Sequence, residues 1–356
     1  MKAFDKLSVG VMFGGRSVEH DVSVASGFSI VKALLRLGPR VVLMGIDHDG
    51  AFKNVSDSID MMATHDFVFT DHEKNNLLKE ESLDLPITRL SRHDVDVVIP
   101  MLHGSYGEDG RMQGFLDTLH IPYVGSSVLP SALLLDKIFM KSIFRDNGFS
   151  TSPWVNFSLN EWNHDSTECC KRVTHNLQYP VFIKPSNTGS SFGIRKVRND
   201  RELSEAIAFA FTHDQQVIVE QGIDCYEVEC SVLGNDDPRA SLPGQIIPRN
   251  EFYDYESKYL PSGMTLKVPA PFSSDLTEKI QKMAIDAFKL FRCAGLARVD
   301  FFVEKTTEKL FVNELNTIPG FTATSVYAVL WEHSGLTYDA LLTELINLAM
   351  QPNVRG

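Results

Sequence analysis

Residues 295–303 read GLARVDFFV and residues 310–316 read LFVNELN, and these two stretches decide how the fold is read. Apolar and polar residues alternate in both stretches, and a short polar segment separates them. This alternation predicts two β-strands joined as a hairpin. Because side chains repeat every two residues along a strand, each arm presents its polar side chains on one face.

The polar faces of this hairpin carry Arg298 and Asp300 on one strand and Glu314 and Asn316 on the other. Carboxylate and amide oxygens suit Mg²⁺, which usually adds water and substrate phosphates to one or two carboxylates. Arg298 would offset repulsion between the carboxylates and could donate to a developing oxyanion. A salt-bridged surface hairpin would show the same pattern. The turn at residues 317–322 favours a metal site, because it frees backbone N–H groups beside the predicted ligands.

The composition is that of a soluble protein with two or three domains. The chain has 356 residues, 43% of them hydrophobic and 22% charged. Its formal net charge of −12 disfavours nucleic acid and anionic membranes as partners. No apolar run approaches the roughly 18 residues of a membrane span, and the first residues lack a signal peptide's apolar core. Five cysteines without a metal or disulfide spacing fit a reducing compartment, so we expect a cytoplasmic protein.

The first third of the chain alternates between predicted strands and helices. A buried strand at residues 7–13 leads through a glycine turn into a helix that reaches about Leu37. Further strands are predicted at residues 39–47, 94–101 and 121–125. Such alternation implies a small parallel sheet, whose carboxyl edge is a site for small polar ligands.

Two residues follow the ends of these strands. Glu19 comes after the first strand and its glycine turn, and His103 begins the glycine-rich loop after the third. An acidic residue in the first turn of a helix is also favoured by the helix dipole, and a histidine in a loop is commonly only polar surface. At one sheet edge, however, Glu19 could hold an ammonium group and His103 could join the same pocket.

Lys184 ends an otherwise apolar strand, where an unpaired lysine would be costly. The Ser/Gly-rich residues 185–193 follow it and supply N–H and hydroxyl donors. A lysine beside such a loop cradles phosphates, although the spacing is not that of a Walker motif. Lys137 lies in a helix predicted at residues 131–147, where a lysine is ordinarily a solvated surface charge.

Two later segments suggest a nucleotide site. Residues 217–223 leave a strand for a connector that could hold a base, and Glu227 and Glu229 lie on the next strand. Residues 251–259 are aromatic, charged and aperiodic, a content more typical of a functional lid than of a linker.

In this order, these segments resemble the ATP-grasp superfamily and, within it, the D-alanine–D-alanine ligases. The resemblance covers nearly the whole chain apart from residues 48–93 and 155–176. Six motifs carry it: GGRSVE (14–19), LHG through GEDG (102–110), KPS through GSS (184–191), YDY through KY (253–259), RVD (298–300) and NELNTIPG (313–320).

The resemblance implies an α/β (α+β) ATP-grasp fold of three domains. These would be a parallel-sheet α/β domain at residues 1–130 holding the first D-alanine, a central domain at 131–223, and a C-terminal domain at 224–356. The C-terminal domain would carry the metal site and a mobile loop at 250–268. Antiparallel sheets of the last two domains would sandwich ATP, and the protein would be a homodimer.

The implied reaction joins two D-alanine molecules to D-alanyl-D-alanine, a peptidoglycan precursor. One D-alanine carboxylate attacks the γ-phosphate of ATP to give an acyl phosphate, and the amine of the second displaces phosphate. The implied cofactors are ATP and two Mg²⁺ ions, for which Mn²⁺ can substitute.

The resemblance also implies site residues. Those for ATP are Lys137, Lys184, Ser191, Glu220, Gln221, Ile223, Glu227 and Lys258. The metal ligands are Asp300, Glu314 and Asn316. The substrate-binding residues are Glu19, His103, Tyr255, Arg298, Gly320 and Ser325. The catalytic residues are Glu19, Ser190, Tyr259, Arg298, Gly320 and Ser325.

The implied roles follow the reaction. Glu19 binds the ammonium of the first D-alanine, and Ser325 binds the carboxylate of the second. Arg298 and the Gly320 N–H stabilise the tetrahedral oxyanion. Tyr259 reaches the Glu19–Ser190 pair when the loop closes, which excludes water.

Two alternatives remain at this point. Relatives join D-alanine to D-serine or D-lactate, and the depsipeptide-forming ones carry histidine at the position of Tyr259, so tyrosine favours an amino-acid acceptor. A catalytically silent ATP-binding sensor is the other alternative, and it would bind nucleotide without releasing ADP.

Overall fold

The computed structural model describes residues 2–79, 90–190, 192–248 and 263–351. The site predictions for Ser191, Tyr255, Lys258 and Tyr259 lie outside these ranges. Within them, no helix combines the length and the apolar character that a membrane crossing requires.

The N-terminal region is a three-stranded parallel sheet flanked by helices, as the alternation of elements predicted. The strand order is β2-β1-β3, with β1 central and buried at every position. The strands are β1 (Ser8–Gly14), β2 (Arg40–Ile46) and β3 (Val97–Pro100). The helices are α1 (His20–Leu37), α2 (Val55–Ala63), α3 (Asp71–Leu78) and α4 (Arg111–Thr118). A 3-10 turn at Phe4–Lys6 precedes them.

The fourth parallel strand predicted at residues 121–125 is wrong. This segment makes only one bridge to β3, at Val98 and Tyr123, where the Val98 N–H donates to Pro122 O and the Val124 N–H donates to Val98 O. The next bond on one side would need an N–H from Pro122, and on the other side an N–H from Pro100. Proline has no backbone N–H, so the ladder stops in both directions.

The single helix predicted at residues 131–147 is two helices, α5 (Val128–Leu135) and α6 (Lys137–Asp146). Asp136 between them has extended backbone, and its carboxylate accepts from the N–H groups of Ile138 at 2.9 Å and Phe139 at 3.1 Å. This cap starts a new helix at Lys137. The predicted domain boundary at residue 130 therefore falls inside α5.

A four-stranded antiparallel sheet, in the order β4-β7-β5-β6, follows. Its strands are β4 (Trp154–Ser158), β5 (Val181–Pro185), β6 (Arg195–Val197) and β7 (Gln216–Gln221). Its helices are α7 (Leu159–His164), α8 (Ser166–Asn176) and α9 (Asp200–Ala210). Phe182 of β5 pairs with Glu220 of β7, and Lys184 pairs with Ile218. Because side chains alternate along both strands, Lys184 and Glu220 share one face of the sheet.

A six-stranded antiparallel sheet completes the fold, in the order β11-β10-β8-β12-β13 with β9 beside β8. Its strands are β8 (Cys225–Gly234), β9 (Arg239–Ala240), β10 (Gly244–Pro248), β11 (Met264–Lys267), β12 (Gly295–Glu304) and β13 (Leu310–Asn316). The helices are α10 (Ser274–Leu290), α11 (Val326–His333) and α12 (Tyr338–Ala349). The predicted hairpin is confirmed as β12 and β13, with Arg298 opposite Asn316 and Asp300 opposite Glu314.

The end of the predicted loop at residues 250–268 is wrong, because Met264–Lys267 forms β11 against β10. Met264 and Leu266 alternate with polar residues, and they pack against a small apolar cluster around Ile246 and Leu330. The alternation in this short segment was therefore a strand signal.

Candidate active site

One cavity of about 490 Å³ lies where the N-terminal region meets the two antiparallel sheets. Such a volume is typical of a small-molecule site. Every predicted site residue that the structure describes lines it: Glu19, His103, Lys137, Lys184, Ser190, Glu220, Gln221, Ile223, Glu227, Arg298, Asp300, Glu314, Asn316, Gly320 and Ser325.

The hairpin side of the cavity is organised around the Arg298 guanidinium. Arg298 Nε and Nη2 each lie 2.7 Å from an oxygen of Asp300, and Nε also lies 2.9 Å from Glu229 Oε2. Asn316 Nδ2 donates to Asp300 Oδ2 at 3.1 Å. Burial alone would lower the pKa of Arg298, but the carboxylates of Asp300 and Glu229 outweigh burial and raise it. The guanidinium is therefore held charged in a fixed orientation.

The same side of the cavity fits a divalent cation. Asp300 and Glu314 are direct cross-strand partners, so their side chains lie on the same face, and both line the cavity. With Glu229 they place three carboxylates around a single guanidinium. This oxygen-rich set with an excess of negative charge suits a hard cation such as Mg²⁺. Sequence reasoning placed Glu229 on the strand after the connector but gave it no role.

The opposite side of the cavity carries two lysines beside the Ser/Gly-rich loop. The Lys184 ammonium lies 3.2 Å from Glu220 Oε1, so the lysine at the end of an apolar strand is paired. Lys137 donates from Nζ to Thr188 O at 2.6 Å and from its backbone N–H to Ser186 O at 3.1 Å. Two ammonium groups thus flank the loop, an arrangement suited to phosphate oxygens.

Glu220 also reaches a second lysine, which sequence reasoning missed. The ammonium of Lys141 lies 3.0 Å from Glu220 Oε2, and the Ser152 hydroxyl donates to the same oxygen at 2.9 Å. Burial alone would raise the pKa of Glu220, but the Lys141 and Lys184 ammonium groups hold that pKa at about 2. A signal existed, because Lys141 lies four residues after Lys137 and so shares its face of α6.

At the N-terminal side of the cavity, Glu19 is the central group. Its Oε1 accepts a hydrogen bond from the Ser190 hydroxyl, whereas its buried Oε2 accepts none from the described residues. A Cβ on Gly104 or on Gly189 would come within 2.4 Å of Oε2, so both loops pack closely around this carboxylate. A buried carboxylate oxygen without a donor is costly, and an ammonium group would satisfy it.

Glu108 is a second carboxyl group here that sequence reasoning did not single out. The Gly104 N–H donates to its Oε2 at 2.9 Å, and Glu108 lines the same cavity as Glu19. Burial, and then the nearby Glu19 carboxylate, raise the pKa of Glu108 to about 8. Glu108 therefore holds its proton at neutral pH. The GEDG segment in the loop after β3 was its only signal.

His103 lines the cavity with both ring nitrogens engaged by the protein. Its Nδ1 lies 3.0 Å from Ile318 O and its Nε2 lies 3.1 Å from the Ser26 hydroxyl oxygen. Burial lowers the pKa of this imidazole. The ring therefore joins α1 to the turn after β13, and it supports the backbone that leads to Gly320.

Gly320 and Ser325 lie close together in that turn. A Cβ on Gly320 would sit 3.4 Å from the Ser325 Oγ, and this hydroxyl oxygen accepts from the Thr322 N–H at 3.0 Å. Ser325 also precedes the first residue of α11 without a side-chain cap bond. A helix N-terminus with a hydroxyl beside it can bind a carboxylate.

Comparison with known proteins agrees with this geometry. The profile of the D-ala D-ala ligase N-terminus matches residues 8–126, and that of the D-ala D-ala ligase C-terminus matches residues 143–347. The chain is 44% identical to a D-alanine--D-alanine ligase of Natranaerobius thermophilus over 353 residues, which cover 97% of this chain and 95% of the relative. It is 41% identical to one of Acetivibrio thermocellus over 363 residues, covering 98% and 96%.

Two solved structures are similar over nearly their whole length. The D-alanine-D-alanine ligase from Coxiella burnetii has a TM-score of 0.80 and 35% identity, covering 97% of this chain and 94% of that one. The VanG D-Ala:D-Ser ligase from Enterococcus faecalis has a TM-score of 0.80 and 32% identity, covering 97% and 99%. With both family profiles matched and relatives this similar over the whole chain, the protein belongs to the D-alanine–D-alanine ligase family of ATP-grasp enzymes.

Proposed function

We propose that this protein uses ATP to join two D-alanine molecules, releasing ADP, phosphate and D-alanyl-D-alanine for peptidoglycan synthesis. One observation carries the proposal. A single cavity has a lysine pair on one wall, a carboxylate cluster on the facing wall and the buried Glu19 carboxylate at its N-terminal side, whose Oε2 accepts no hydrogen bond from the described residues.

The two walls suit the nucleotide end of the reaction. Lys137 and Lys184 hold phosphate oxygens, while Glu220, Gln221 and the backbone near Ile223 face the base and Glu227 faces the ribose. Asp300, Glu314 and Asn316 hold Mg²⁺, which when bound neutralises charge that develops on the phosphates. Phosphoryl transfer depends mainly on such positioning and charge neutralisation. The first D-alanine carboxylate then receives the γ-phosphoryl group as an acyl phosphate.

The N-terminal side suits the amino-acid end. Glu19 holds the ammonium of the first D-alanine through Oε2, which has no donor among the described residues. Ser325 and the start of α11 hold the carboxylate of the second. Arg298 and the Gly320 N–H donate to the oxyanion that forms when the second amine attacks. Ser190 orients Glu19, and Tyr259, Tyr255, Lys258 and Ser191 are proposed to complete the closed site.

The second substrate, which accepts the activated D-alanine, could be D-alanine, D-serine or D-lactate. The VanG relative is named a D-Ala:D-Ser ligase and matches nearly the whole chain, so D-serine is the second candidate acceptor. D-lactate is disfavoured by Tyr259. We further propose two Mg²⁺ ions replaceable by Mn²⁺, a cytoplasmic homodimer, and three domains whose first boundary lies outside α5.

The test is an assay with ATP, Mg²⁺ and D-alanine that measures both ADP and dipeptide, with D-serine and D-lactate offered in parallel. We expect ADP and D-alanyl-D-alanine in equal amounts. A folded protein that binds ATP yet forms neither product would contradict the proposal and would favour a silent nucleotide sensor.

A further inference from the structure

Behind the cavity wall, three side chains form a buried polar cluster. Lys141 of α6 and Ser152 are each 1% exposed, and Glu220 of β7 is 2% exposed. The Lys141 ammonium lies 3.0 Å from Glu220 Oε2 and donates to the Ser152 hydroxyl oxygen at 3.2 Å. The Ser152 hydroxyl in turn donates to Glu220 Oε2 at 2.9 Å. The three polar groups therefore close a triangle.

Lys141 and Ser152 do not themselves line the cavity, whereas Glu220 and Lys184 do. A ligand in the cavity would meet Glu220 and not the lysine behind it. Burying a lysine is costly unless its charge is paired and hydrogen-bonded. Lys141 therefore acts on a ligand from behind the wall. Glu220 is its ion-paired neighbour at the cavity, and Lys184 and Glu314 are further charged neighbours there.

Within this triangle, the two carboxylate oxygens of Glu220 have different partners. Oε2 pairs with the Lys141 ammonium and accepts a hydrogen bond from the Ser152 hydroxyl. Oε1 lies 3.2 Å from the Lys184 ammonium but is not aligned for a hydrogen bond, and it accepts none from the described residues. Because Oε2 is fixed at two points, Oε1 is held as a buried acceptor at the cavity.

The positive charge of Lys141 also affects how strongly Lys184 can attract a phosphate. Lys141 offsets the charge of the Glu220 carboxylate, so the ammonium of Lys184 is not cancelled by its neighbour. Without Lys141, one carboxylate and one ammonium would face each other at the cavity wall. The attraction of Lys184 for a phosphate would then be weaker.

We propose that Lys141, together with Ser152, is a positioning residue for nucleotide selection. It fixes Glu220 so that Oε1 accepts a hydrogen bond from the exocyclic amine of a 6-aminopurine, and it leaves the charge of Lys184 able to attract phosphate. A 6-oxopurine would instead set its carbonyl oxygen against the carboxylate. This inference rests on the proposed function, because it takes ATP as the occupant of the cavity.

The experiment compares ATP with ITP, which carries a carbonyl oxygen in place of that amine. Wild type, Lys141→Met, Ser152→Ala and the surface control Lys282→Met are assayed for ligation and titrated calorimetrically with each nucleotide and Mg²⁺. Lys282 is an exposed lysine that pairs with Asp286 of its own helix, so its change should leave both readouts unaltered.

We expect wild type to prefer ATP by tenfold or more in Kd and in kcat/KM, about what one hydrogen bond to a charged group supplies. Lys141→Met should reduce that preference about tenfold and raise the KM for ATP more than it lowers kcat. Ser152→Ala should reduce the preference less, by about threefold. The double variant Lys141→Met/Glu220→Gln also removes the buried carboxylate that has lost its closer lysine, and it tests the same preference if Lys141→Met alone fails to fold.

Three results would overturn the inference. These are a wild type that binds ATP and ITP equally, a folded Lys141→Met that keeps the full preference, and a double variant that keeps it. A lower melting temperature with an unchanged ATP/ITP ratio would show a purely structural role. If wild type forms no dipeptide, the proposed function fails, but the calorimetric ratio still decides the role of Lys141.

Discussion

The two walls of the cavity carry buried charge of opposite sign. On one wall, the ammonium groups of Lys141 and Lys184 surround a single carboxylate, that of Glu220. On the other, the Arg298 guanidinium stands among carboxylates, two of which contact it directly. A wall with excess positive charge can bind phosphate oxygens directly. A wall with excess negative charge needs a cation between itself and a phosphate, so the difference would explain why the proposed nucleotide site uses both lysines and a metal.

The largest loss of ligase activity should follow a substitution in the carboxylate wall. Asp300→Asn keeps the shape of the side chain but removes a charge that pairs with Arg298 and that we propose binds the metal. We expect ligase activity to fall by about 10³, the upper end of the loss seen when a group that stabilises transition-state charge is removed. Steady-state ADP release across a Mg²⁺ series measures this.

The matched control is Asp286→Asn, because Asp286 is a surface carboxylate paired with Lys282. It should retain full activity. An Asp300→Asn variant with near wild-type turnover would remove Asp300 from the metal site.

On the lysine wall, Lys184→Met should lower turnover by about 10² while the protein stays folded. Lys184 is only partly buried, and Glu220 keeps Lys141 and Ser152 as partners when Lys184 is removed. The loss therefore falls on the phosphate and not on the fold. Activity and thermal melting, measured together with Lys289→Met in the last turn of α10 as control, separate these two effects. Near wild-type turnover would place the phosphate elsewhere.

A smaller effect is expected where the Ser/Gly-rich loop meets Glu19. A Cβ at residue 189 would lie 2.4 Å from Glu19 Oε2, so Gly189→Ala must move the loop or the carboxylate. We expect the KM for D-alanine at the first site to rise about tenfold, with little change in the KM for ATP. Gly148→Ala is a loop control, since nothing lies within 4 Å of a Cβ there, although its positive φ adds local strain. An unchanged KM for D-alanine would show that the loop tolerates displacement.

The smallest expected effect is on the pH dependence of folding stability, which Glu108 and Glu220 change in opposite directions. The pKa of Glu108 is raised to about 8 by burial and by Glu19, so the folded protein holds a proton that the unfolded chain releases above about pH 4.5. This group lowers stability as the pH rises from about 4.5 to 8. Glu220 has its pKa held at about 2, so it lowers stability as the pH falls below about 4.5.

Glu108→Gln should therefore flatten the decline of the free energy of unfolding between about pH 5 and 8. Denaturant titrations at several pH values measure it, with the exposed Glu278→Gln as control. A slope identical to wild type would mean that Glu108 is ionised in the folded protein.

On each side of the cavity, some site residues could be predicted from the sequence and others could not. The hairpin was predictable because alternation placed Asp300 and Glu314 on defined faces, and Lys184 was conspicuous as a charge in an apolar strand. Lys141 and Glu108 were not, because their surroundings come from residues far away in the chain, such as Glu220 and Glu19. Local patterns fix which face a side chain occupies, whereas burial and pairing depend on tertiary packing.

The absence of the predicted fourth strand shows that backbone pairing, like side-chain burial, depends on tertiary contacts that a local pattern does not contain. Residues 121–125 are apolar enough for a strand, but Pro122 and Pro100 remove the N–H groups at both ends of the bridge. Pro122 was visible in the segment itself. The effect of Pro100 depends on the register between the segment and β3, which only the folded structure supplies.

The proposed ligation depends on metal binding by the β12–β13 hairpin, and Mn²⁺ binding tests this most directly. Electron paramagnetic resonance can titrate Mn²⁺ into wild type and into Asp300→Asn/Glu314→Gln, each saturated with ADP. We predict specific binding in wild type and an affinity at least tenfold weaker in the double variant, with Asp286→Asn unchanged. Equal Mn²⁺ affinity in wild type and the double variant would contradict the account.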